Sequence, residues 1–495
     1  MVVSVRSWEW VRRRPVLAVI ALVLALSAGV RLVGLDNCSG YVFDEHYYVH
    51  DALAILHGHS GPLGSAAWAS GGERSLAHPE LGKLFIAAGI ALFGNDPWGW
   101  RLPSVVAGVG LLGLVYPLGR LLGLSRQWAA VALVLCASDT MLIVQSRVGM
   151  LDIFVAFWSA LCIYLALRYV RTGGGSLGLL GIGVVGGLAL ATKWSGALAV
   201  AAALFVLAFG PTCLRQPGTP KRCVLRAAAI VVGASLGTYV ATYAAYFAAG
   251  HSLGDWLALQ RQMLAFNWGV QSVDSSASAP ATWIFDAGPI WYRWALSNHG
   301  VVGLLSIGNP VLWWAATACL VVLGVQAVLR RTGEVALPVG LVGILYLPWL
   351  ATSRVTYIYY MTPVVPFLAL VLATALQRLV GSRYRVGKGA LVSYAAGFIA
   401  GGSVYLVLWG GAFVWRAASG ASPGTSVTFA AGGALALAAV ALRARSRMPR
   451  SLLPVATFSL VGLVTGVALA LLPFVVALPV PFAYYHRLML FTTWR

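Results

Sequence analysis

The sequence predicts an all-α polytopic membrane protein, and three observations predict it. Of 495 residues, 60% are hydrophobic and only 10% charged, against about 25% charged in soluble domains. The apolar residues gather into runs of roughly 20, the length that crosses ~30 Å of hydrocarbon. Between these runs, basic residues concentrate in every second connection, as in Arg215/Lys221/Arg222/Arg226, Arg378/Arg383/Arg385/Lys388 and Arg443/Arg445/Arg447/Arg450. This positive-inside bias turns the net charge of +20 into a topology signal and argues against nucleic acid as a partner.

Arg12, Arg13 and Arg14 precede the first run, so the N-terminus is expected in the cytoplasm. Residues 15–33 read as a retained first span, because no small-x-small cleavage site follows. The first outer loop, 34–101, holds a helix-like stretch at Tyr47–Leu56 and a Gly/Ser-rich gap at Gly58–Gly72. Its apolar segment Leu81–Phe93 is too short to span and is expected to lie along the interface or re-enter. Further spans are expected at 102–122, 127–145, 149–170, 176–191, 194–210 and 225–249, with Gly181, Gly183, Gly186 and Gly187 as small packing residues. The second outer loop, 250–307, carries Trp256, Trp268, Trp283, Trp291 and Trp294, which read as an interfacial belt or, alternatively, as sugar or lipid contacts. The C-terminal bundle, 308–495, adds 308–329, 335–351, 356–376, 389–415, 425–442 and 451–477. The total is thirteen, or eleven if the weakest pair is set aside, and the whole of 1–495 reads as one membrane-embedded domain. The absence of a nucleotide-binding glycine loop argues against a nucleotide-sugar donor handled by a soluble domain.

Acids and histidines follow the opposite distribution to the basic residues. Of 14 Asp and Glu, seven lie between Asp36 and Asp96, and all eight histidines fall in segments expected outside. Titratable chemistry is thus concentrated on one face. Asp44-Glu45 stands out there: a carboxylate can take the proton of a poor hydroxyl nucleophile, and its neighbour can orient it or bind sugar hydroxyls. The alternative is that Asp44 merely caps the helix that follows. Lys83, Arg147, Lys193 and Arg354 lie at outer span ends, against the bias. Fixed cations there suit a departing phosphate, although each alone suits a snorkelling side chain, and Arg147 with Asp152 suits a structural pair. His46 and His50, at i and i+4 with Asp51 and His57 nearby, have metal-like spacing. Without cysteine ligands or an HExxH pattern they read as hydrogen-bonding or surface residues, and no metal is expected. Six cysteines give no outer disulfide, since only Cys38 falls outside.

Several blocks, in order, carry a family resemblance. Phe43-Asp44-Glu45, His78-Pro79-Glu80-Leu81-Gly82-Lys83 and Leu92-Phe93-Gly94 resemble the first outer loop of protein O-mannosyltransferases. Gln145–Asp152 is similar to their Ser-Arg-x-x-x-Leu-Asp element, and Lys193-Trp194-Ser195-Gly196 to their Lys-Trp-Ser-Gly. Ile307-Gly308-Asn309-Pro310 with Trp313-Trp314, Arg354 with Tyr357–Tyr360, and the tail 478–494 resemble the bacterial branch.

The resemblance implies a GT-C glycosyltransferase fold. It also implies mannose transfer from polyprenyl-phosphate-mannose to Ser/Thr of exported proteins at the outer face, with no cofactor beyond the lipid-linked donor. By the same resemblance, Asp44 is the base and Glu45 its partner. His78 and Lys83 line the site, Arg147 and Arg354 face the lipid phosphate, and Lys193 and Asp152 join them. Membrane lipid, the donor and an exported acceptor are the implied partners; the secretion translocon is added from topology alone, since the expected catalytic face and emerging chains share one side. Glu80 departs from the family's His-Pro-Pro, and the second loop is too short for the soluble module of eukaryotic members. The rival readings are a transferase of the same type acting on a glycolipid or polysaccharide, a lipid-linked-sugar transporter, and a scaffold.

Overall fold

A computed structural model describes residues 15–57, 77–214, 221–269, 276–297, 300–330, 332–384, 387–399 and 452–488. The first span is α1 (Pro15–Leu32), and the outer loop after it folds into α2 (Glu45–Leu56) and α3 (Leu81–Phe93). Both helices fall where the sequence expects them; the Gly58–Gly72 stretch between them lies outside the described residues. Helix α4 (Pro97–Leu121) starts sharply because Asp96 accepts the amides of Trp98 at 2.8 Å and Gly99 at 3.1 Å, with Pro97 at the first position.

The expected span 127–145 is not one helix. It divides into α5 (Arg126–Ala137) and α6 (Thr140–Gln145) at Ser138-Asp139. Asp139 caps α6 through the Leu142 amide (2.9 Å) and also accepts from Trp313 Nε1 (2.7 Å) and the Asn309 amide (3.2 Å). Asn309 Nδ2 in turn donates to the Ser138 carbonyl (3.0 Å) and the Val464 carbonyl (2.8 Å). A buried carboxylate needs such partners, and obtaining them interrupts the helix.

Helices α7 (Asp152–Thr172), α8 (Gly175–Thr192), α9 (Ala197–Cys213) and α10 (Lys221–Ala241) follow. Gly183 and Gly187 let α8 meet α10: a Cβ at Gly183 would stand 2.6 Å from the Val231 carbonyl oxygen, and one at Gly187 2.5 Å from that of Ser235. The expected span 225–249 is α10 and a short α11 (Ala244–Ala248).

The second loop holds α12 (Leu253–Gly269), α13 (Pro280–Trp283), and strands β1 (Ile290–Ser297) and β2 (Gly300–Ser306). The chain then continues through α14 (Pro310–Arg330), α15 (Gly333–Tyr346), single 3-10 turns at Leu347–Ala351 and Ile358–Met361, α16 (Val365–Val380), a helical stretch at 388–399, α17 (Leu452–Val475), β3 (Pro479–Pro481) and α18 (Phe482–Leu488). Pro348 ends α15, and Pro363 delays α16, so 335–351 and 356–376 are each a turn joined to a helix. Span 425–442 and most of 389–415 lie outside the described residues.

Among the described residues, eight helices are long and apolar enough to cross a membrane. The chain is a multi-pass membrane protein. One element was not expected: an antiparallel sheet in the order β1-β2-β3. Trp291 and Trp294, read as belt residues, are strand residues within it.

Candidate active site

The approach to the acidic pair is fixed from below by two arginines. Arg147 donates to the carbonyls of Val30 (2.7 Å), Arg31 (2.8 Å) and Gly34 (2.8 Å), closing the end of α1. Arg101 donates to Leu35 and Cys38 (2.8 Å each) and to Gly40 (3.0 Å). It also grips Glu45 through Nε at 2.7 Å and Nη2 at 2.8 Å. Glu45 accepts two further bonds, from the Gly149 amide (2.7 Å) and the Val42 amide (2.9 Å), and is wholly buried. Its carboxylate is therefore saturated by the scaffold.

Asp44 is placed differently. It occupies the N-cap position of α2, yet its side chain accepts none of the helix's amides. The capping alternative thus does not describe its carboxylate, which instead accepts from Tyr359 Oη at 3.4 Å. The preceding residue, Phe43, holds φ at +48°, a conformation that costs a bulky residue roughly 1–3 kcal/mol and persists only where surroundings enforce it.

Behind Tyr359 stands a layer of cation and aromatic rings. Lys193 Nζ contacts both carboxylate oxygens of Asp152 at 3.0 Å. It also lies over the rings of Tyr360 (4.5 Å) and Tyr359 (5.4 Å). Asp152 thus pairs with Lys193, and Arg147 is engaged elsewhere. Lys193 opens onto a cavity of about 390 Å³, whose lining includes His78, Trp194, Asn267, Trp268, Trp349 and Arg354. Arg354 donates from Nη1 to Asn267 Oδ1 at 2.7 Å, while its buried Nε has no hydrogen-bond partner among the described residues. Asn267 Nδ2 donates to the carbonyls of Ala77 (2.8 Å) and Met263 (2.9 Å), so α12 ties Arg354 to the segment carrying His78. Burial, then Lys193, Lys83 and Arg354, push the His78 pKa well below its ordinary value, so the imidazole is neutral and the positive charge is left to the lysine and arginine. Lys83 is one layer back, in a buried ion pair with Asp51 at 2.7 Å.

Of the eight residues singled out from the sequence, His78, Lys193 and Arg354 line the cavity and Asp152 supports Lys193. Asp44 reaches the same layer through Tyr359. Glu45, Lys83 and Arg147 are held in buried pairs or carbonyl clusters. For Arg147 the reason is geometric: its Nη groups close the end of α1. Sequence reasoning gave no role to Arg101, Asp51, Asn267 or Tyr359. Arg101 carried the clearest available signal, a lone cation opening an apolar run. In the sequence, Asp51 stands out only by its closeness to His46, His50 and His57. The rings of His46 and His50 lie 4.7 Å apart, tilted at 45°, on the exposed side of α2.

The arrangement can hold an anion against two cations and present a carboxylate to a hydroxyl. Comparisons with known proteins bear on the family and the fold. Residues 77–236 match the family model described as dolichyl-phosphate-mannose-protein mannosyltransferase. Residues 252–431 match the C-terminal four-transmembrane region of protein-O-mannosyltransferase. The polyprenol-phosphate-mannose–protein mannosyltransferase of Mycobacterium tuberculosis is 28% identical over 450 residues, covering 76% of this chain and 82% of the relative. The protein of the same name from Mycolicibacterium smegmatis is 29% identical over 435 residues, covering 72% and 81%. In fold, the chain is similar to the Saccharomyces cerevisiae Pmt1-Pmt2 complex bound to the sugar donor (TM-score 0.68, 11% identity, 100% of this chain and 93% of that one). It is also similar to ArnT from Cupriavidus metallidurans bound to undecaprenyl phosphate (TM-score 0.53, 17% identity, 92% and 77%).

Proposed function

Because the chain belongs to the protein O-mannosyltransferase family, we propose that it moves mannose from polyprenyl-phosphate-mannose to a Ser/Thr hydroxyl of a protein acceptor. The acceptor oxygen attacks the anomeric carbon and gives its proton to Asp44. The bond from that carbon to the phosphate oxygen breaks, and its electron pair leaves with the lipid phosphate. A single displacement of this kind inverts the anomeric centre through an oxocarbenium-like state. Arg354, whose buried Nε has no hydrogen-bond partner among the described residues, and Lys193 receive the developing phosphate charge without reorganising. Glu45 and Arg101 position the loop, Asp152 holds Lys193, and Lys83 with Asp51 supports α2 against α3. The site faces the outside of the membrane, where exported chains emerge from the translocon and become acceptors.

The observation that carries this reading is the meeting of Asp44 and Lys193 on one ring, Tyr359, beside the Arg354 cavity. The test is transfer of radiolabelled mannose from polyprenyl-phosphate-mannose to a Ser/Thr-rich peptide, using membranes with wild-type or Asp44→Asn protein. Label on the peptide that vanishes in the variant, with polyprenyl-phosphate binding retained, supports donor, acceptor and base together. Label in a lipid or glycan fraction instead would reassign the acceptor. An Asp44→Asn enzyme with most of its turnover would remove Asp44 from the base role.

A further inference from the structure

We infer that Tyr292 is a positioning residue that aims Asp44 through the ring of Phe43, an inference that rests on the reading of Asp44 as the base. Asp44 follows directly on a residue in the left-handed backbone region, Phe43 at φ +48°. A phenylalanine released from that conformation returns to the ordinary β or α region, and the turn would carry the next residue's carboxylate away from Tyr359. Ring packing prevents it. Tyr292 lies nearly parallel to Phe43, with centroids 4.8 Å apart and planes at 17°. Tyr359 and Tyr357 meet the same ring edge-on at 5.9 and 6.3 Å.

The two edge-on tyrosines belong to the segment that builds the cavity wall, whereas Tyr292 reaches Phe43 from the sheet. It sits at the irregularity in the β1–β2 pairing between Trp291 and Arg293. A bulge re-aims a side chain where regular alternation would not. Tyr292 is buried, and its hydroxyl accepts from Gln145 Nε2 at 2.5 Å. Gln145 is the fully buried last residue of α6. A chain of contacts therefore runs from α6 through Gln145, Tyr292 and Phe43 to Asp44. Tyr292 is not part of the cavity lining, so its effect is on aim and not on donor contact.

The experiment compares wild type, Tyr292→Leu, Tyr292→Phe, Phe43→Leu and the Phe43→Leu/Tyr292→Leu double variant in full-length protein in membranes. Three quantities are read: kcat for mannosyl transfer, KM for the donor, and protection against thermal unfolding by polyprenyl phosphate. Tyr292→Leu is expected to lower kcat by about 100-fold, the scale of a misplaced reacting group, with donor KM and polyprenyl-phosphate protection unchanged. Tyr292→Phe keeps the stack and should recover kcat to within about threefold of wild type. The double variant should lose no more than the worse single variant, because both act through one contact. The inference is overturned if Tyr292→Leu keeps more than half of the wild-type kcat. It is equally overturned if phosphate protection falls along with kcat, which is the mark of a merely structural role, or if the two single losses multiply. A wild type that labels a glycan instead of a peptide overturns the acceptor assignment alone, and the same kcat ratios then judge Tyr292 on that acceptor.

Discussion

Glu45→Gln separates a scaffold carboxylate from a reacting one. Glu45 Oε1 accepts from Arg101 Nε and the Gly149 amide, and Oε2 from Arg101 Nη2 and the Val42 amide. A glutamine retains one of these oxygens. Its amide nitrogen then points at two donors, so two of the four bonds are lost, and the buried Arg101 loses its counter-charge. Breaking a buried ion pair on one side costs about 3–5 kcal/mol. The expected result is a drop in unfolding free energy of that size, measured by thermal or denaturant unfolding in detergent, with turnover falling in step with the folded fraction. A Glu45→Gln protein as stable as wild type but devoid of turnover would refute the reasoning and return Glu45 to the reacting centre.

Three other outcomes follow from the site. Arg354→Ala should weaken polyprenyl-phosphate binding by about 10- to 100-fold, the scale of a charge-assisted bond of ~1.5–3 kcal/mol, as titration of the lipid phosphate would measure. Lys193→Met leaves buried Asp152 unpaired and should destabilise by about 3–5 kcal/mol, whereas Lys193→Met with Asp152→Leu should recover much of it; unfolding of the three proteins checks this. His78 has a lowered pKa in the fold, so the unfolded chain binds its proton first as pH falls. Stability should therefore decline below the ordinary imidazole value of about 6.5, and His78→Gln should remove that part of the decline in unfolding curves at pH 7.5 and 5.5.

Most of the described spans are legible because bilayer thickness imposes length and composition together, and the loop helix Leu81–Phe93 is legible because its apolar run is too short. The division at Asp139 was not, since it depends on Asn309 and Trp313, some 170 positions away. The sheet was hidden for a related reason: Ile290–Ser297 is rich in aromatics, which suit an interfacial belt as well as a strand. At the site, residue type announced the charges but not their partners. Lys83, Arg147, Lys193 and Arg354 look alike in the sequence, and only packing separates those closed by Asp51 or the α1 carbonyls from those open to the cavity. Asn267 carries no formal charge and nothing in its local sequence marks it out, while Tyr359 falls in the block Tyr357–Tyr360 that carries the resemblance but has no role legible there.

The partners of Asp139 also set an order of assembly. A ribosome delivers Asp139 long before Asn309 and Trp313, and Val464, which closes the Asn309 side chain, comes near the end. Until then, the break between α5 and α6 is an unfinished joint in a nascent membrane protein, with a carboxylate still lacking its partners from Asn309 and Trp313. Gln145, six residues on, is the foot of the contacts that aim Asp44. Substitutions at Asn309 should therefore appear first as rapid turnover of newly made chains in a pulse-chase, well before any change in the chemistry of the molecules that survive.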